Sequence, residues 1–266
     1  MLQLLNIFVS NRQLIRQLTL RQMAARYRGS ALGYIWTLSH PLLMLAVYTL
    51  VFGVIFKARW GVEMDDGTGA FAVIMFCGMA VFNIFSETVN GCAHCIIGNA
   101  NLVKKVIFPL EFLPVVQLLS TTILGMVWFA LVLLGALALG MQPGWTVLFL
   151  PVLLLPLMLI ALGLGYFVAA TTVFLRDIPH LTGIATHILF FMTPIFYPES
   201  LVPERLRLIL QCNPLTPLVA QTREILLFGR PPDWHICVLL WLIGLCLCQL
   251  GLMWFMKTRK GFADVL

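Results

Sequence analysis

Six apolar runs are long enough to cross a lipid bilayer as helices, and they constrain the fold more than any other feature of the sequence. They are Tyr34–Phe56, Ala70–Ile97, Pro109–Leu139, Trp145–Leu175, His180–Tyr197 and Trp234–Met256. A helix spans the roughly 30 Å of hydrocarbon with about 20 residues. Charged residues make up only 11% of the 266 residues, far below the usual share in soluble domains. We therefore predict an all-α membrane protein with six transmembrane helices.

Prolines modify this pattern in two of the runs. Pro151 and Pro156 are expected to kink the fourth run, and Pro194 to break the fifth near its end. The fifth run has only 18 residues. It either stops short of a full crossing or is completed by the residues that follow.

The distribution of positive charge predicts the orientation of the chain. Eleven cations lie in the N-terminal flank, the 98–108 loop, the 176–179 loop and the C-terminal tail. The opposite side carries six, which are Lys57, Arg59, Arg205, Arg207, Arg223 and Arg230, together with seven acids. Positive charge favours the cytoplasmic side, so we expect both termini in the cytoplasm. The net charge of +6 is thus an orientation signal, and we expect no nucleic-acid partner.

The whole chain, 1–266, is predicted to form a single membrane domain. Residues 1–28 alternate apolar residues with arginines and glutamines, which is typical of a helix lying in the membrane interface. A frayed basic tail is the alternative. Residues 34–256 are the six-span bundle and 257–266 a cytoplasmic tail. Arg21, Arg26 and Arg28 end just before the first span and are candidates to contact lipid phosphates.

The segment between the last two spans, Pro198–Asp233, contains two helical patterns separated by Asn213-Pro214. Neither half is long enough to cross the bilayer. We expect two short helices that dip into the outer half of the membrane or lie along it. Backbone at that depth is tolerated only where protein or water satisfies its polar groups.

A polar stripe runs along the second span. Asn83, Glu87, Asn90 and His94 recur at i, i+4, i+7 and i+11, and Ser86 borders them. Side chains at this spacing share one face of a helix, and in a membrane that face meets protein or water. The stripe either lines a transport path or joins helices through buried hydrogen bonds. For Glu87 alone the second interpretation is favoured.

The sequence lacks the motifs expected of a nucleotide-binding, catalytic or zinc site. It contains no G-x-x-x-x-G-K-[ST] phosphate loop, and Glu87 and Glu111 are the only acids within the apolar runs. Cys92-Ala-His-Cys95 has the spacing of half a zinc site but no second half. The chain is therefore expected to be a conduit rather than an enzyme, with no cofactor of its own and with energy supplied from outside.

Several segments carry a family resemblance. In chain order they read RYRGSALGYIWTLSHPLL, VYTLVFGVIF, NLVKKVIFPLEFLPVV, FLRDIPH, TPIFYPESLVP and NPLTPLVAQTRE. They cover nearly the whole chain, which thus resembles the ABC-2 type permeases that export O-antigen, capsule and teichoic-acid polysaccharides. The resemblance implies a homodimer served by two copies of a separate ATPase subunit, which binds ATP and Mg. It also implies re-entrant helices between spans five and six.

The same resemblance implies a docking segment for the ATPase subunit at 99–109. Asn101, Leu102, Lys104 and Lys105 would be its contacts, docking as a helix in a groove of the partner. The alternative is a loop that carries only orientation charge. Arg176-Asp177, after the fourth span, is either a local ion pair or a second docking contact, and exposed ion pairs at turns favour the former.

The expected function is export of a lipid-linked polysaccharide, O-antigen first, across the bacterial inner membrane. Sugar rings stack on aromatic faces, so Tyr34, Trp36, Phe82, Phe85 and Tyr197 are candidates for the path, together with the polar stripe. Polyprenyl-linked glycan and membrane lipids are the expected ligands. Alternatives are a capsule or teichoic-acid exporter, an exporter of a small hydrophobic compound, and a membrane enzyme of polyprenol-linked sugar metabolism.

Overall fold

The computed structural model describes residues 11–30, 32–55, 68–103, 108–141 and 143–265, and its regular structure there is entirely helical. The first six helices are α1 (Arg12–Tyr27), α2 (Trp36–Tyr48), α3 (Thr68–Cys95), α4 (Ala100–Val103), α5 (Phe112–Ala138) and α6 (Leu150–Phe174). The remaining five are α7 (Ile178–Met192), α8 (Glu204–Gln211), α9 (Leu215–Leu226), α10 (Trp234–Thr258) and α11 (Phe262–Val265). The all-α prediction is confirmed.

Five segments within the described residues are long and apolar enough to cross a membrane. They are Gly33–Ile55, Gly69–Cys95, Phe112–Ala138, Trp145–Phe174 and Trp234–Val265. The first combines a 3₁₀ turn, α2 and a π-helical stretch, Thr49–Ile55. The fifth predicted span, His180–Tyr197, is shorter than expected. Its helix, α7, has 15 residues, and at about 1.5 Å per residue it extends roughly 22 Å.

The end of α7 coincides with the expected break. The helix stops at Met192, two residues before Pro194, and Thr193, which directly precedes the proline, is extended. The residue before a proline is disfavoured in the helical conformation, which explains why Thr193 leaves the helix. Pro151 instead occupies the first turn of α6, where its missing N–H costs nothing, and Pro156 lies inside that helix.

Helix α3 is the centre of the bundle. Of its most apolar stretch, 78% is buried within the chain, against 6% for the first span. Met75, Phe76, Ala80 and Ile84 are almost fully buried and belong to one large core cluster. A helix that is apolar on nearly every side is expected at the core rather than at the surface. The other spans are therefore arranged around α3, and the first span presents most of its surface outward.

Glycines allow α6 and α10 to pack closely. A Cβ added at Gly163 would lie 2.5 Å from the carbonyl carbon of Leu247, and one at Gly251 would overlap the carbonyl oxygen of Gly163. A Cβ at Gly244 would lie 3.1 Å from the carbonyl oxygen of Pro156. Small residues let two membrane helices approach at backbone distance, so these glycines set the α6–α10 crossing.

The two ends of the described chain meet at the same end of the bundle. Ile15 of α1 packs against Phe112 at the start of α5. The guanidinium of Arg259, after α10, donates to the buried carboxylate of Glu111 at 2.8 Å. Phe262 of α11 lies in the adjoining apolar cluster. The N-terminal helix and the C-terminal tail thus share one face of the protein.

Two short helices lie between α7 and α10, where the sequence predicts them. Helices α8 and α9 are separated by Cys212, Asn213 and Pro214. The side chain of Asn213 donates to the hydroxyl of Thr193 at 2.9 Å and accepts from the backbone N–H of Leu215 at 3.0 Å. Asn213 therefore fixes the turn between α8 and α9 against the end of α7.

Arg223 of α9 is buried, whereas the charge count in the sequence treats it as one more loop cation. Its guanidinium donates to three backbone carbonyl oxygens: Pro194 at 2.9 Å, Ile195 at 3.0 Å and Ile74 at 3.1 Å. Carbonyls next to a helix end lack intrahelical partners. Arg223 supplies donors at the break after α7 and fastens that break to the central helix.

Replacing Gly251 with alanine should lower the thermal unfolding midpoint of the purified protein in detergent. The new methyl group would overlap the backbone of Gly163, and overpacking typically costs about 1–3 kcal/mol. The matched control is Gly183→Ala in α7, where an added Cβ meets no atom within 4 Å. Equal midpoints for the two variants would contradict the close α6–α10 packing.

Arg223→Met should destabilise the protein strongly. It removes donors from three buried carbonyls, and an unsatisfied buried polar group costs about 1–3 kcal/mol. The control is Arg230→Met, because Arg230 is exposed and lies 3.6 Å from Glu224 in a loose ion pair. Thermal unfolding should give a clearly lower midpoint for Arg223→Met than for Arg230→Met, and no difference would show that water replaces the guanidinium.

Candidate functional site

The polar stripe of α3 borders neighbouring cavities between the helices. The Arg26 cavity, about 260 Å³, lies between α1, the first span, α3 and α5. The Asn90 cavity, about 230 Å³, lies between the first span, α3, α5 and α7. His40, Asn83 and Trp128 line both, so the two cavities adjoin. Together they form a groove along one face of the central helix.

Glu87 is held by Arg26 across the first of these cavities. The guanidinium makes two hydrogen bonds to the carboxylate, Nη1 to Oε2 at 2.6 Å and Nη2 to Oε1 at 2.9 Å. The Arg26 side chain is 44% exposed and that of Glu87 26%. The carboxylate thus joins α1 to α3, the role favoured for it from the sequence. Arg26, a candidate for lipid phosphate, has an internal anion as its partner here.

A glutamine pair adds a second connection between α1 and the core. Gln22 of α1 hydrogen-bonds to the side chain of Gln117 in α5. Gln117 also donates to the backbone carbonyl of Glu87 at 3.2 Å. Polar side chains therefore fasten the N-terminal helix to α3 and α5 next to the Arg26 cavity.

Asn90 connects α3 to α7 in the second cavity. Its amide donates to the hydroxyl of Thr186 at 3.1 Å and to the carbonyl oxygen of Ser86 at 2.9 Å. His187 of α7 also lines this cavity. The stripe thus includes side chains that join helices and side chains that border cavities, and its role in transport stays a prediction.

An aromatic cluster continues the groove beyond Phe82. Phe82 lies 5.0 Å from Phe190 between ring centroids, and Phe190 lies 5.0 Å from Phe196. Phe196 also stacks on Phe52 at 4.6 Å and contacts Tyr48 at 5.4 Å. The sequence analysis missed four of these five rings because they come from the first span, α7 and the break after it.

The remaining aromatic candidates lie in different surroundings. Trp36 lines the Arg26 cavity and is 41% exposed, and Tyr34 is 63% exposed. Phe85 is buried beside Phe82. The hydroxyl of Tyr197 donates to the carbonyl oxygen of Phe191 at 2.8 Å. Trp36 therefore borders the groove from an exposed position, whereas Phe82 and Phe85 are both buried in the core, and Phe82 also lines the Asn90 cavity.

Comparison with known proteins gives this groove its context. Residues 13–227 match the family model described as ABC-2 type transporter. The chain belongs to the ABC-2 type transporter family.

Relatives of this ABC-2 permease include proteins named for polysaccharide export. It is 31% identical to an O-antigen export system permease protein, RfbA, of Myxococcus xanthus, over 99% of both chains. It is 23% identical to a Klebsiella pneumoniae protein of the same name, over 94% of this chain and 93% of the relative. Identity to the polysialic acid transport protein KpsM of Escherichia coli is 25%, over 81% of each chain.

A third cavity of the ABC-2 permease lies next to the candidate docking segment. The Arg21 cavity, about 400 Å³, is lined by residues of α1, α5 and the end of α3, including Arg21 and His94. Asn99 and Leu102 line it as well. It therefore separates the interface helix from the beginning of the docking segment. Arg28, the third arginine candidate, is exposed at the end of α1.

The docking candidates of the permease are partly described. Asn101 is exposed and Leu102 half-buried in α4, and Lys104 and Lys105 lie outside the described residues. Arg176 and Asp177 are exposed in the turn between α6 and α7. No ion pair joins Arg176 to Asp177 in the part of the chain that the structure describes. The favoured interpretation of a local pair is thus not seen.

The side chains of the Cys92-Ala-His-Cys95 motif lie in different surroundings. Cys92 is buried against the backbone of Pro114, and Cys95 is half-buried. His94 is exposed and lines the Arg21 cavity instead. Among the described residues, no three side chains of His, Cys, Asp or Glu are grouped as metal ligands would be.

Proposed function

We propose that this permease exports a lipid-linked polysaccharide of the O-antigen type across the bacterial inner membrane. The observation that carries the proposal is the full-length similarity to the Myxococcus xanthus permease, at 31% identity. The groove along α3 adds physical support, because it combines hydrogen-bonding side chains with a run of aromatic rings. Such a surface suits sugar rings, which offer both hydroxyl groups and apolar faces.

A capsule-type polysaccharide is the second candidate substrate. Its support is the similarity to the polysialic acid transport protein, at 25% identity over 81% of the chain. That match is shorter and weaker than the match to the O-antigen permease. We therefore rank capsule, and teichoic acid with it, below O-antigen.

The working transporter in this proposal is a homodimer with two separate ATPase subunits. The first span has only 6% of its apolar stretch buried within the chain, so a second copy can cover part of it. The sequence has no phosphate loop of its own, so ATP and Mg would be held by the partner subunits. Asn101, Leu102, Lys104 and Lys105 would dock the ATPase, with Arg176 and Asp177 as a second contact.

We further propose six crossings with both termini in the cytoplasm. Helix α7 and the residues after it would complete the fifth crossing, and α8 and α9 would be re-entrant in the outer half of the membrane. The hydrogen bonds of Arg223 support this, since a broken backbone at membrane depth needs internal partners. Both α1 and the C-terminal tail contact the beginning of α5, which supports a common side for the termini.

The lipid carrier would enter beside α1. Arg21, Arg26 and Arg28 are the proposed contacts for its phosphates, because guanidinium groups bind phosphate through paired N–H donors. The glycan would then follow Trp36, Asn83, Asn90 and Phe82 toward the aromatic cluster. Tyr34 and Tyr197 remain proposed contacts at the ends of this path.

Deleting the gene in its host should trap finished glycan on its lipid carrier at the cytoplasmic face of the inner membrane. Protection of the glycan from added glycosidase in spheroplasts measures its side, and complementation with the wild-type chain should restore surface glycan. A deletion strain that makes no lipid-linked glycan at all would instead favour an enzyme of glycan synthesis. Composition of the trapped glycan decides between O-antigen and capsule.

Reversing charge in the docking segment should separate the permease from its ATPase. We expect Lys104→Glu with Lys105→Glu to reduce ATPase co-purification about tenfold, because like charges placed at an interface cost several kcal/mol. Lys257→Glu with Lys260→Glu, cations of the C-terminal tail, is the matched control. Membrane yield should be unchanged in both. Equal co-purification of the two double variants would contradict the docking role.

A further inference from the structure

The Arg26 cavity has the features of an anion site that is already occupied by an internal carboxylate. Its wall includes Arg26, Ser30, Trp36, Thr37, His40 and Glu87. The cation belongs to α1 and the carboxylate to α3, on opposite sides of the space. A guanidinium that holds a carboxylate through two parallel N–H donors presents the same geometry to two phosphate oxygens.

The Arg26–Glu87 pair is exchangeable. With side-chain exposures of 44% and 26%, both partners retain contact with solvent. The paired donors make this a stronger contact than a single surface ion pair, but its exposure leaves the guanidinium open to competition from another anion that matches the same geometry. An incoming phosphate with more negative charge than a carboxylate can therefore displace Glu87 from Arg26. By contrast, the Glu111–Arg259 pair has its carboxylate 5% exposed and cannot be reached in this way.

A second donor in the same cavity has no partner of its own. The hydroxyl oxygen of Thr37 is buried, and no hydrogen bond to it occurs among the residues that the structure describes. Most threonines in the spans instead donate to a carbonyl one turn back, as Thr88 does to Ile84 at 2.7 Å. Among the described residues, Thr49, Thr122 and Thr216 also have buried hydroxyls without a partner, but Thr37 is the one of these four that lines the Arg26 cavity, where it can donate to a ligand.

We propose that the Arg26 cavity binds a phosphate group carried on a lipid, with Glu87 as the internal anion that this phosphate displaces. Arg26 would supply two donors and Thr37 a third. The inference rests on the proposed function only for the source of the phosphate, which is either the glycan's polyprenyl carrier or a membrane phospholipid. Binding would break the α1–α3 ion pair, so occupancy would loosen the interface helix from the central helix.

Binding measurements on full-length, detergent-solubilised protein test the exchange. Undecaprenyl diphosphate is titrated by native mass spectrometry, beside undecaprenol, which has the same chain without phosphate, and phosphatidylglycerol. Arg26→Gln should weaken diphosphate binding about tenfold, and Thr37→Val about fivefold, because charged and neutral donors are lost. Glu87→Gln should strengthen it about threefold to fivefold, because it removes the competing anion.

The test is decided by whether Arg26→Gln and Glu87→Gln change the affinity for undecaprenyl diphosphate in opposite directions. If the ion pair were only structural, both variants would weaken binding in parallel and lower the unfolding midpoint, and the proposal would be overturned. Equal affinity for undecaprenol and the diphosphate would overturn it as well. Arg26→Lys, which keeps the charge but loses the paired donors, should bind with intermediate affinity.

Control variants come from the loose pair between Arg230 and Glu224. Arg230→Gln and Glu224→Gln make the same changes of charge outside the cavity and should leave binding unchanged. Tighter binding of the carrier than of phosphatidylglycerol would identify the carrier as the source, and the reverse would identify the phospholipid. The two proposals can also fail separately. If Arg26→Gln and Glu87→Gln change the binding affinity in opposite directions but the wild-type chain does not restore glycan export to the deletion strain, the phosphate site is supported and the proposed function is contradicted.

Discussion

The end of this permease that contains α8 and α9 depends on how the backbone polar groups are satisfied where α7 stops. Hydrocarbon offers no partner to a free carbonyl, so a helix that ends before crossing the membrane needs donors from its own protein. Arg223 reaches the carbonyls of Pro194, Ile195 and Ile74 from α9, and Asn213 reaches the hydroxyl of Thr193. These bonds hold α8, α9 and the end of α7 against the central helix as one unit.

The other end of the bundle is fastened by different chemistry. There α1 and the C-terminal tail attach to the spans through side-chain pairs: Arg26 with Glu87, Gln22 with Gln117, and Arg259 with Glu111. Of the two ion pairs, Glu111–Arg259 is the more buried, so it should be costly to break. The Arg26–Glu87 pair is half-exposed and should be cheap to exchange. The tail is therefore fixed to α5 through a buried carboxylate, whereas α1 is attached by the apolar packing of Ile15 and by polar pairs that solvent can reach.

Hydropathy alone predicts much of this fold. Length and composition identify five spans with nearly the bounds that the structure gives, because apolar runs of 20 or more residues have few other uses. Pro194 predicts where α7 must end, and the patterns on either side of Asn213-Pro214 predict α8 and α9. Hydropathy and proline positions are sufficient to locate these elements, because each depends only on residues that are close in the sequence.

Contacts between distant residues are what the sequence leaves open. Glu87 and Arg26 are 61 residues apart, and the carbonyl of Ile74 is 149 residues from Arg223. A count of loop charges treats Arg223 like Arg230, although one is buried and the other exposed. The sequence does not reveal the aromatic cluster for the same reason. Besides Phe82, its rings lie on the first span, α7 and the break after α7, so no single helical pattern contains them.

The two walls of the groove differ in how firmly they are held, and this asymmetry suggests how the permease works. Helix α3 is buried in the core and cannot shift without disturbing most of its neighbours. On the opposite side the first span is largely exposed, and α1 is joined to α3 through the half-exposed Arg26–Glu87 pair. Widening the groove for a glycan should therefore move α1 and the first span away from a stationary α3. A lipid phosphate that competes for Arg26, as we propose, would act where α1 joins α3, so recognition of the lipid and opening of the path would depend on one interaction.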